Sequence, residues 1–398
     1  MARVKRRSSL GEDIRVGDTS APAVSTMPTT KDQRAASKQR RRKLSMSKSR
    51  PENWFTWYRE LSYRKTWLNP LLVMIIALAG YAVNPTPSNP LHACIFLSYR
   101  TAPDPSSHAP TEYQYDKGPR DLAFVFFYTF LFSFTREFLM LQLLRPIAFY
   151  NNITKKAKVS RFMEQSYTAI YFSVFGPFGL YVMYQTPIWY FNTTAYYEAY
   201  PHRTHTADFK AYYLLQAAYW LQQCIVLLLQ LEKPRKDFKE LVGHHIVTLS
   251  LIALSYRFHF TWIGLAVFVT HDISDFFLAT SKTLNYLDHW FIGPYFGFFI
   301  FVWIYMRHFL NLGILWSVLT KFKSVGTWEL NWETGTYKSG LAQSVAIVLL
   351  GSLQAVNLFW LWLILRIAKR YVLTSDAVDE RSEDEDESTS EDGEKKEN

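Results

Sequence analysis

The middle of this chain is a succession of apolar runs, each about twenty residues long. An α-helix needs roughly twenty apolar residues to cross the hydrocarbon core of a membrane. Residues 51–374 hold only 45 of the 78 charged residues of the chain. This composition excludes collagen-like, coiled-coil and disulfide-framework proteins, and a middle so poor in charge is not a disordered segment. The sequence therefore predicts an all-α polytopic membrane protein.

Hydropathy predicts about eight transmembrane helices. A segment near 241–282 also fits a helical hairpin with a tight turn at Tyr256–Phe258, so seven spans are an alternative. The eight predicted spans are approximately 67–83, 121–143, 166–185, 210–231, 241–256, 260–282, 295–319 and 341–367.

Both ends of the chain are highly charged and lack apolar periodicity, so we expect disordered tails. Residues 1–50 hold 14 Lys/Arg and 4 Asp/Glu, and residues 375–398 hold 3 Lys/Arg and 12 Asp/Glu. No DNA- or RNA-reading motif accompanies the basic tail, which favours a cytosolic arm beside an anionic membrane over a nucleic-acid-binding segment. Lys and Arg residues flanking the spans place both termini in the cytosol.

The predicted organisation has five parts. Trp54, Trp57, Leu61 and Arg64 recur at helical spacing, which indicates a helix lying in the membrane interface. The parts are a basic cytosolic N-tail at 1–50, an interfacial amphipathic helix at 51–66, two transmembrane helices with a lumenal loop at 67–159, a helical membrane domain at 160–372 and an acidic cytosolic C-tail at 373–398.

Two short motifs concern location and glycosylation. Lys395 and Lys396 are fourth and third from the carboxyl end, the spacing of a dilysine signal for retrieval to the endoplasmic reticulum. Asn192 begins an Asn-Thr-Thr sequon in a predicted lumenal loop. We therefore predict an endoplasmic reticulum membrane protein and a glycosylation acceptor at Asn192.

The acidic C-tail contains a phosphorylation pattern. Ser382, Ser388 and Thr389 each have an acidic residue three positions later, which acidophilic kinases prefer. We predict that all three are phosphorylated and that the added charge acts by repulsion or by partner binding. The alternative is a tail that only confers solubility.

Ionisable side chains inside the predicted spans form two main sets. Each costs roughly 2.5–3.5 kcal/mol to insert at the centre of a helix, so each needs a reason. His244 and His245 lie in the fifth span, and His271, Asp272 and Asp275 lie in the sixth. The two spans are antiparallel, and both sets are at similar depth from the turn between them. We predict that they converge on one catalytic site.

Helix geometry limits how these side chains can point. Adjacent residues on a helix differ by about 100° in direction, so only one of His244 and His245 can point straight into a cavity. The other histidine would then orient or support it. Asp272 or Asp275 could fix the tautomer of a histidine and stabilise its cationic form.

Other polar residues lie in the seventh span, and the sequence alone does not decide their roles. Arg307 and Asn311 share a face of the seventh span, and Arg307 either pairs with a buried Asp or holds a substrate phosphate. His308 fits a packing role. A single His/Asp zinc site is possible in principle, but we predict no metal.

At this point the residues resemble a known family. The pattern is similar to the signature of ceramide synthases, which are the longevity-assurance members of the TLC-domain membrane proteins. Its individual residues resemble those of the fungal members. The TLC-like region spans roughly 160–372, and the matching residues are Arg235-Lys236-Asp237-Phe238, His244-His245-Ile246-Val247-Thr248, Ser255-Tyr256, Gly264, His271-Asp272-Ile273-Ser274-Asp275, Lys282 and Asn285-Tyr286.

The resemblance implies sphingoid base N-acylation in the endoplasmic reticulum. A fatty acyl group, very long in fungal relatives, passes from acyl-CoA to the amine of dihydrosphingosine or phytosphingosine, and ceramide and CoA are released. Acyl-CoA is then a co-substrate, and no cofactor is expected. It also implies a six-helix barrel-like bundle around an acyl tunnel, a small single-span regulatory subunit, and a possible dimer with itself or a paralogue.

The CoA group is a polyanion that must stay at the cytosolic mouth. Arg235, Lys236 and Lys239 border that mouth and are candidates to bind its phosphates. The alternative is that these charges only set the membrane topology. A different class of function is a non-catalytic TLC-domain factor that binds lipid or associates with the translocon.

Two mechanisms fit the same residues. A histidine can act as a general base while the amine attacks acyl-CoA directly, or it can first take the acyl group as an acyl-imidazole. We favour His244 as the nucleophile, with His245 and Asp275 as orienting or proton-handling groups. Release of CoA before the amine arrives would avoid crowding two head groups around one histidine.

Overall fold

The computed structural model describes residues 53–374, apart from 104–108, 110 and 233–235. Most of the two charged tails lies outside the described residues. The site predictions that fall outside them concern Arg235, Ser382, Ser388, Thr389, Lys395 and Lys396.

The described chain is mostly helical, and each of the eight predicted spans coincides largely with a helix or with joined helical segments. Two short antiparallel hairpins interrupt the helices, with β1 (Arg100–Thr101) paired to β2 (Gln114–Tyr115) and β3 (Leu330–Asn331) paired to β4 (Thr336–Tyr337). The helices are α1 (Trp54–Arg64), α2 (Leu68–Val83), α3 (His92–Ile95), α4 (Arg120–Leu139), α5 (Arg145–Tyr150), α6 (Lys156–Tyr184), α7 (Ala207–Leu228), α8 (Phe238–Arg257), α9 (Thr261–Tyr286), α10 (Ile292–Ile304), α11 (Asn311–Thr320) and α12 (Gly340–Thr374).

Among the described residues, four helical stretches are long and apolar enough to cross a membrane, or five if α1 and α2 are counted together as one span. These four are Arg120–Tyr150, Thr261–Tyr286, Ile292–Thr320 and Gly340–Leu373. The prediction of a polytopic helical membrane protein is therefore confirmed. The count of eight spans stays a prediction.

Helix α1 lies within the segment 51–66, for which an interfacial helix is predicted. None of its residues is buried, and Trp54 and Trp57 are exposed. Such exposed tryptophans suit the membrane interface, and that location stays a prediction.

Helices α8 and α9 form the predicted hairpin. The turn is Phe258–Phe260, two residues later than expected, and His259 takes a positive φ of 64° there. Both helices extend beyond the predicted spans at the opposite end, since α8 begins at Phe238 and α9 ends at Tyr286. We call the end of the bundle at Phe258–Phe260 the turn end and the opposite end the open end.

Each helix around this hairpin packs on the next, and the last packs on the first. Helix α6 packs along α9, α9 packs on α10, and α12 packs on α11 and α8. Helix α7 packs on both α8 and α6. Glycines permit two close approaches: a Cβ on Gly179 would lie 2.6 Å from Tyr212 Oη, and one on Gly264 would lie 2.1 Å from Tyr213 Oη. Gly264, part of the family signature, thus makes room for a tyrosine of α7.

Two of the long helical stretches contain π-helical segments, which the sequence did not predict. Met140–Leu144 joins α4 to α5, and Tyr305–Leu310 joins α10 to α11. Such segments are often associated with functional sites because they change the phase of a helix. The second segment carries the buried side chains of Arg307 and His308.

A buried polar network lies at the turn end. Lys210 Nζ lies 2.7 Å from Asp121 Oδ1, and Tyr256 Oη donates to Asp121 Oδ2 at 2.7 Å. Lys117 Nζ lies 3.2 Å from His259 Nδ1. These contacts join α4, α7 and the α8–α9 turn.

Candidate active site

Two cavities meet at His244. The first, which we call the apolar cavity, measures about 410 Å³ and is lined almost wholly by apolar groups of α7, α8, α9, α11 and α12. It runs along α8 from His244 to Phe258, and 14 helical residues correspond to about 21 Å. The second, the polar cavity, measures about 220 Å³ and includes His244, His245 and Asp275 in its wall.

His244 is held between two tryptophans. Its ring lies edge-on to Trp220 and Trp360, with centroid distances of 5.7 and 5.1 Å. Its Nε2 is 3.5 Å from Thr248 Oγ1, and its Nδ1 has no hydrogen-bond partner among the described residues. A buried imidazole with an unsatisfied nitrogen is chemically available to a ligand.

His245 has a fixed tautomer. Its Nδ1 lies 2.9 Å from the carbonyl oxygen of Leu241, and because a carbonyl can only accept, Nδ1 carries the hydrogen. A neutral His245 therefore has its lone pair on Nε2. It lines the polar cavity but not the apolar one, whereas His244 lines both. The expectation that only one histidine points straight into a cavity thus holds for the apolar cavity alone.

Both ring nitrogens of His271 form hydrogen bonds with protein groups. Its Nδ1 donates to the carbonyl oxygen of Val267 at 2.8 Å, and its Nε2 accepts from Asn357 Nδ2 at 3.3 Å. It lines the apolar cavity together with His244. These two bonds suit a neutral imidazole in the wall of that cavity.

Asp272 does not contact the histidines of α8 through a hydrogen bond. Its Oδ2 accepts from Tyr212 Oη at 2.7 Å and from Gln216 Nε2. Because residues 271 and 272 differ by about 100° around α9, His271 faces the cavity while Asp272 faces α7. The predicted Asp272–histidine bond is absent from the described structure, and Asp272 fixes α7 against α9 instead.

Asp275 forms a buried ion pair with Arg307. Arg307 Nη2 lies 2.5 Å from Asp275 Oδ1, Nε donates to Ser274 Oγ at 2.6 Å, and Nη1 donates to Asn357 Oδ1 at 3.0 Å. Its guanidinium also lies 4.2 Å from the ring centroid of Trp303. Of the two readings for Arg307, pairing with a buried Asp is the one observed. Arg307 and Asp275 both line the polar cavity.

Three further predicted substrate-binding residues, Lys236, Lys239 and Asn311, do not line either cavity. Lys236 and Lys239 are exposed. Asn311 Nδ2 donates to Gln354 Oε1 at 2.8 Å, and Gln354 Nε2 donates to His308 Nδ1 at 2.7 Å. Asn311 and His308 thus belong to a buried polar cluster with α12, which agrees with the packing role expected for His308.

Several residues of the site were missed by the sequence reading. Asn357 connects His271 to Arg307, and Gln216 binds Asp272. Both lie in predicted spans, so the rule applied to the histidines, that a polar residue in a span needs a reason, would have found them. Glu164 and Glu232, which also line the polar cavity, fall outside the predicted spans and carried no such signal.

Two further observations concern the glycosylation acceptor Asn192 and possible metal ligands. Asn192 is exposed, directly after a short 3₁₀ turn, and its glycosylation stays a prediction. Across the described ranges, no group of three or more His, Cys, Asp or Glu side chains is arranged to hold a metal ion.

The chain is similar to known membrane acyltransferases over nearly its whole length. The TLC-domain family matches residues 161–366. Sphingosine N-acyltransferase lac1 of Schizosaccharomyces pombe is 48% identical over 97% of this chain and 96% of its own length. Ceramide synthase LAG1 of Saccharomyces cerevisiae is 45% identical over 100% of this chain and 96% of its own. Ceramide synthase 4 of Bos taurus is 30% identical over 61% of this chain and 59% of its own length.

Proposed function

The chain belongs to the TLC-domain family, as a fungal-type ceramide synthase, and we propose that it is the catalytic subunit that transfers a fatty acyl group from acyl-CoA to a sphingoid base. Ceramide and free CoA are the products. The observation that carries this function is the position of His244, which lines an apolar cavity on one side and a polar cavity on the other.

The two cavities match the two halves of the reaction. The apolar cavity suits the acyl chain, since burial of each methylene contributes about 0.8 kcal/mol. The polar cavity suits the groups that cannot enter hydrocarbon, namely the amine and the pantetheine end of CoA. The thioester carbon would then lie near His244, where the cavities meet.

His244 is the nucleophile in the mechanism that we propose. Its Nδ1, which has no partner among the described residues, attacks the thioester carbonyl, the C–S bond breaks, and the Nε2 hydrogen of His244 passes to the sulfur, so that CoA leaves as the thiol. The amine then attacks the acyl-imidazole, the C–N bond to His244 breaks, the amide forms, and His244 regains a hydrogen through His245. His245, with its Nε2 lone pair on the polar cavity, receives the proton released by the amine. The Asp275–Arg307 pair supplies fixed charge to the same cavity.

The arrangement in the membrane follows from the same proposal. Helices α6 to α12, with α10 and α11 counted as one, would form a six-helix barrel-like bundle around the acyl tunnel. The open end would face the cytosol, where CoA is found, with both termini on that side of the endoplasmic reticulum membrane. A small single-span regulatory subunit, a dimer and a very-long-chain acyl preference also belong to this proposal.

An assay with purified full-length chain tests the function. Acyl-CoA and dihydrosphingosine in mixed micelles should yield equal amounts of ceramide and CoA. A His244→Ala variant of normal abundance is the matched control and should yield neither. A chain that binds both lipids without turnover, also after addition of a regulatory subunit, would instead support a non-catalytic TLC-domain factor.

A further inference from the structure

The polar cavity contains acidic groups that the mechanism above does not use. Glu164 of α6 and Glu232, four residues after α7 ends, both line it with His244 and His245. A sphingoid base carries a primary ammonium group at neutral pH. We propose that the carboxylate of Glu232 binds this ammonium and makes the polar cavity the head-group site of the amine substrate. This inference rests on the proposed function.

In the described structure, Glu232 shares its guanidinium partner with a second carboxylate. Arg136 is buried and is shared by two carboxylates, since Nη1 binds Glu137 Oε1 and Nη2 binds Glu232 Oε1. One guanidinium cannot neutralise two carboxylates. Within the described residues, Glu232 has no partner other than Arg136, and a third of its side chain is exposed. An incoming ammonium would balance the group.

Glu164 does not have this freedom. Its Oε1 accepts from Ser160 Oγ at 3.1 Å, and its Oε2 accepts from Arg161 Nη1 at 3.0 Å. Its charge is therefore offset within α6. The choice between the two acidic groups accordingly favours Glu232 as the residue that contacts the substrate.

An independent feature of the same cavity points to a ligand. His244 is 95% buried, and its Nδ1 has no hydrogen-bond partner in the described parts of the chain. A buried polar atom of this kind is costly unless a ligand or water satisfies it. An amine bound at Glu232 would share one cavity with this nitrogen and with the wall formed by His245.

The basic groups of the polar cavity lie on different helices from Glu164 and Glu232. Lys282 belongs to α9, and Arg307 belongs to the π-helical segment before α11. The acidic residues are Glu164 of α6, Glu232 after the end of α7, and Asp275 of α9, which is paired with Arg307. The cavity thus combines two sources of opposite charge, which suits one cationic substrate and one anionic co-substrate.

The test compares Glu232→Gln with Glu137→Gln in the purified full-length chain. Both variants keep an acceptor for Arg136, but Glu137 does not line either cavity. Glu232→Gln should raise the KM for dihydrosphingosine by roughly tenfold, the loss expected for one charge-assisted hydrogen bond. The KM for acyl-CoA should stay within about twofold, and Glu137→Gln should change neither constant to that extent.

A cationic probe separates charge recognition from a change of shape. An N,N-dimethyl sphingoid analogue, whose tertiary ammonium keeps one N–H donor but cannot become an amide, should inhibit the wild type competitively against dihydrosphingosine and should lose about the same factor with Glu232→Gln. A neutral analogue without the amine should inhibit both proteins equally. Equal KM changes in the two variants, or equal KM changes for both substrates, would refute the role of Glu232. The proposed function would not be affected by either result. A wild-type chain without any N-acylation would instead refute the proposed function.

Discussion

His245 donates its Nδ1 hydrogen to the carbonyl oxygen of Leu241 at 2.9 Å, a bond within one turn of the same helix. The bond fixes the side of the ring that carries the lone pair. His244, one residue earlier, has no such bond at Nδ1 within the part of the chain that the structure describes, and its Nε2 lies 3.5 Å from Thr248 Oγ1. The two neighbouring histidines therefore differ in their hydrogen bonds, which supports the proposed roles of His245 in proton transfer and of His244 in attack.

We expect His244→Ala and His245→Ala each to lower N-acylation by about 10²–10⁴-fold or more, because each removes a nucleophile or a positioned base. The protein should still accumulate in the membrane. Ceramide formation per mole of purified protein measures the effect. His289→Ala, at an exposed histidine outside both cavities, is the control. Normal activity in a His244/His245 double variant would overturn the site assignment.

The sequence predicted the convergence of α8 and α9 but not the direction of each side chain. The apolar runs predicted where the long helical stretches lie, and the short turn after Tyr256 predicted that His244 and His271 share a depth. Side-chain direction depends on the rotation of each helix, which sequence spacing does not give. Asp272 therefore binds Tyr212 and Gln216 instead of a histidine.

The π-helical segment explains a second limit. Extra residues in the turn at Tyr305–Leu310 change the phase of the helix that follows, so the shared face expected for Arg307 and Asn311 from i, i+4 spacing no longer leads to a shared site. Arg307 reaches Asp275 and the polar cavity, whereas Asn311 binds Gln354. No apolar periodicity in the sequence marks such a segment.

Asn357 should support the site through two contacts at once. Asn357→Ala leaves His271 Nε2 and Arg307 Nη1 without these partners, and each unsatisfied buried group costs about 1–3 kcal/mol. We expect a lower thermal unfolding midpoint in detergent and a lower kcat. The adjacent Leu358→Ala, at an exposed apolar side chain, removes no side-chain hydrogen bond and should change both much less. Equal effects of the two variants would contradict this role.

The ion pair between Lys210 and Asp121 should be essential for stability at the turn end. Lys210 is fully buried, so Asp121→Asn would remove the ion-pair partner of its ammonium, at a cost of about 3–5 kcal/mol. The midpoint of thermal unfolding and the yield of folded protein measure this loss. Asp208→Asn, at an exposed carboxylate in the first turn of α7, is the control. A double Asp121→Asn, Lys210→Met variant should recover part of the stability.

His259, in the turn between α8 and α9, predicts a pH dependence of stability. Burial, followed by the nearby positive charge of Lys117 and other basic groups, lowers the pKa of His259 to about 3. The unfolded chain binds this proton near pH 6.5. The unfolded state therefore holds more protons between these values, so the stability from neutral His259 is complete above pH 6.5 and is lost as the pH falls towards 3.

A His259→Gln variant isolates this contribution from that of other titrating groups. Its thermal unfolding midpoint should fall less steeply than that of the wild type as the pH decreases below about 6.5. Glutamine can still accept a hydrogen bond from Lys117 but cannot take up a proton in this range. His289→Gln serves as the control. Identical slopes for wild type and His259→Gln would contradict the prediction.

The order of the chemical steps can be tested without the sphingoid base. If His244 is acylated first, purified protein mixed with acyl-CoA alone should release a burst of CoA near one equivalent per active site. The acyl group should remain on a peptide containing His244 and should be released by hydroxylamine. The apolar cavity would protect the acyl-imidazole from water, so CoA release should be slow after the burst.

His245→Ala is the informative variant for this order because it leaves His244 in place. If His245 serves mainly to receive the proton of the amine, the variant should keep much of the CoA burst yet form ceramide about 10²–10⁴-fold more slowly. Loss of the burst and of ceramide formation to the same extent would assign His245 to the first step. No burst and no adduct in an active wild type, together with intersecting two-substrate kinetics, would favour direct attack of the amine on acyl-CoA, with a histidine as the general base.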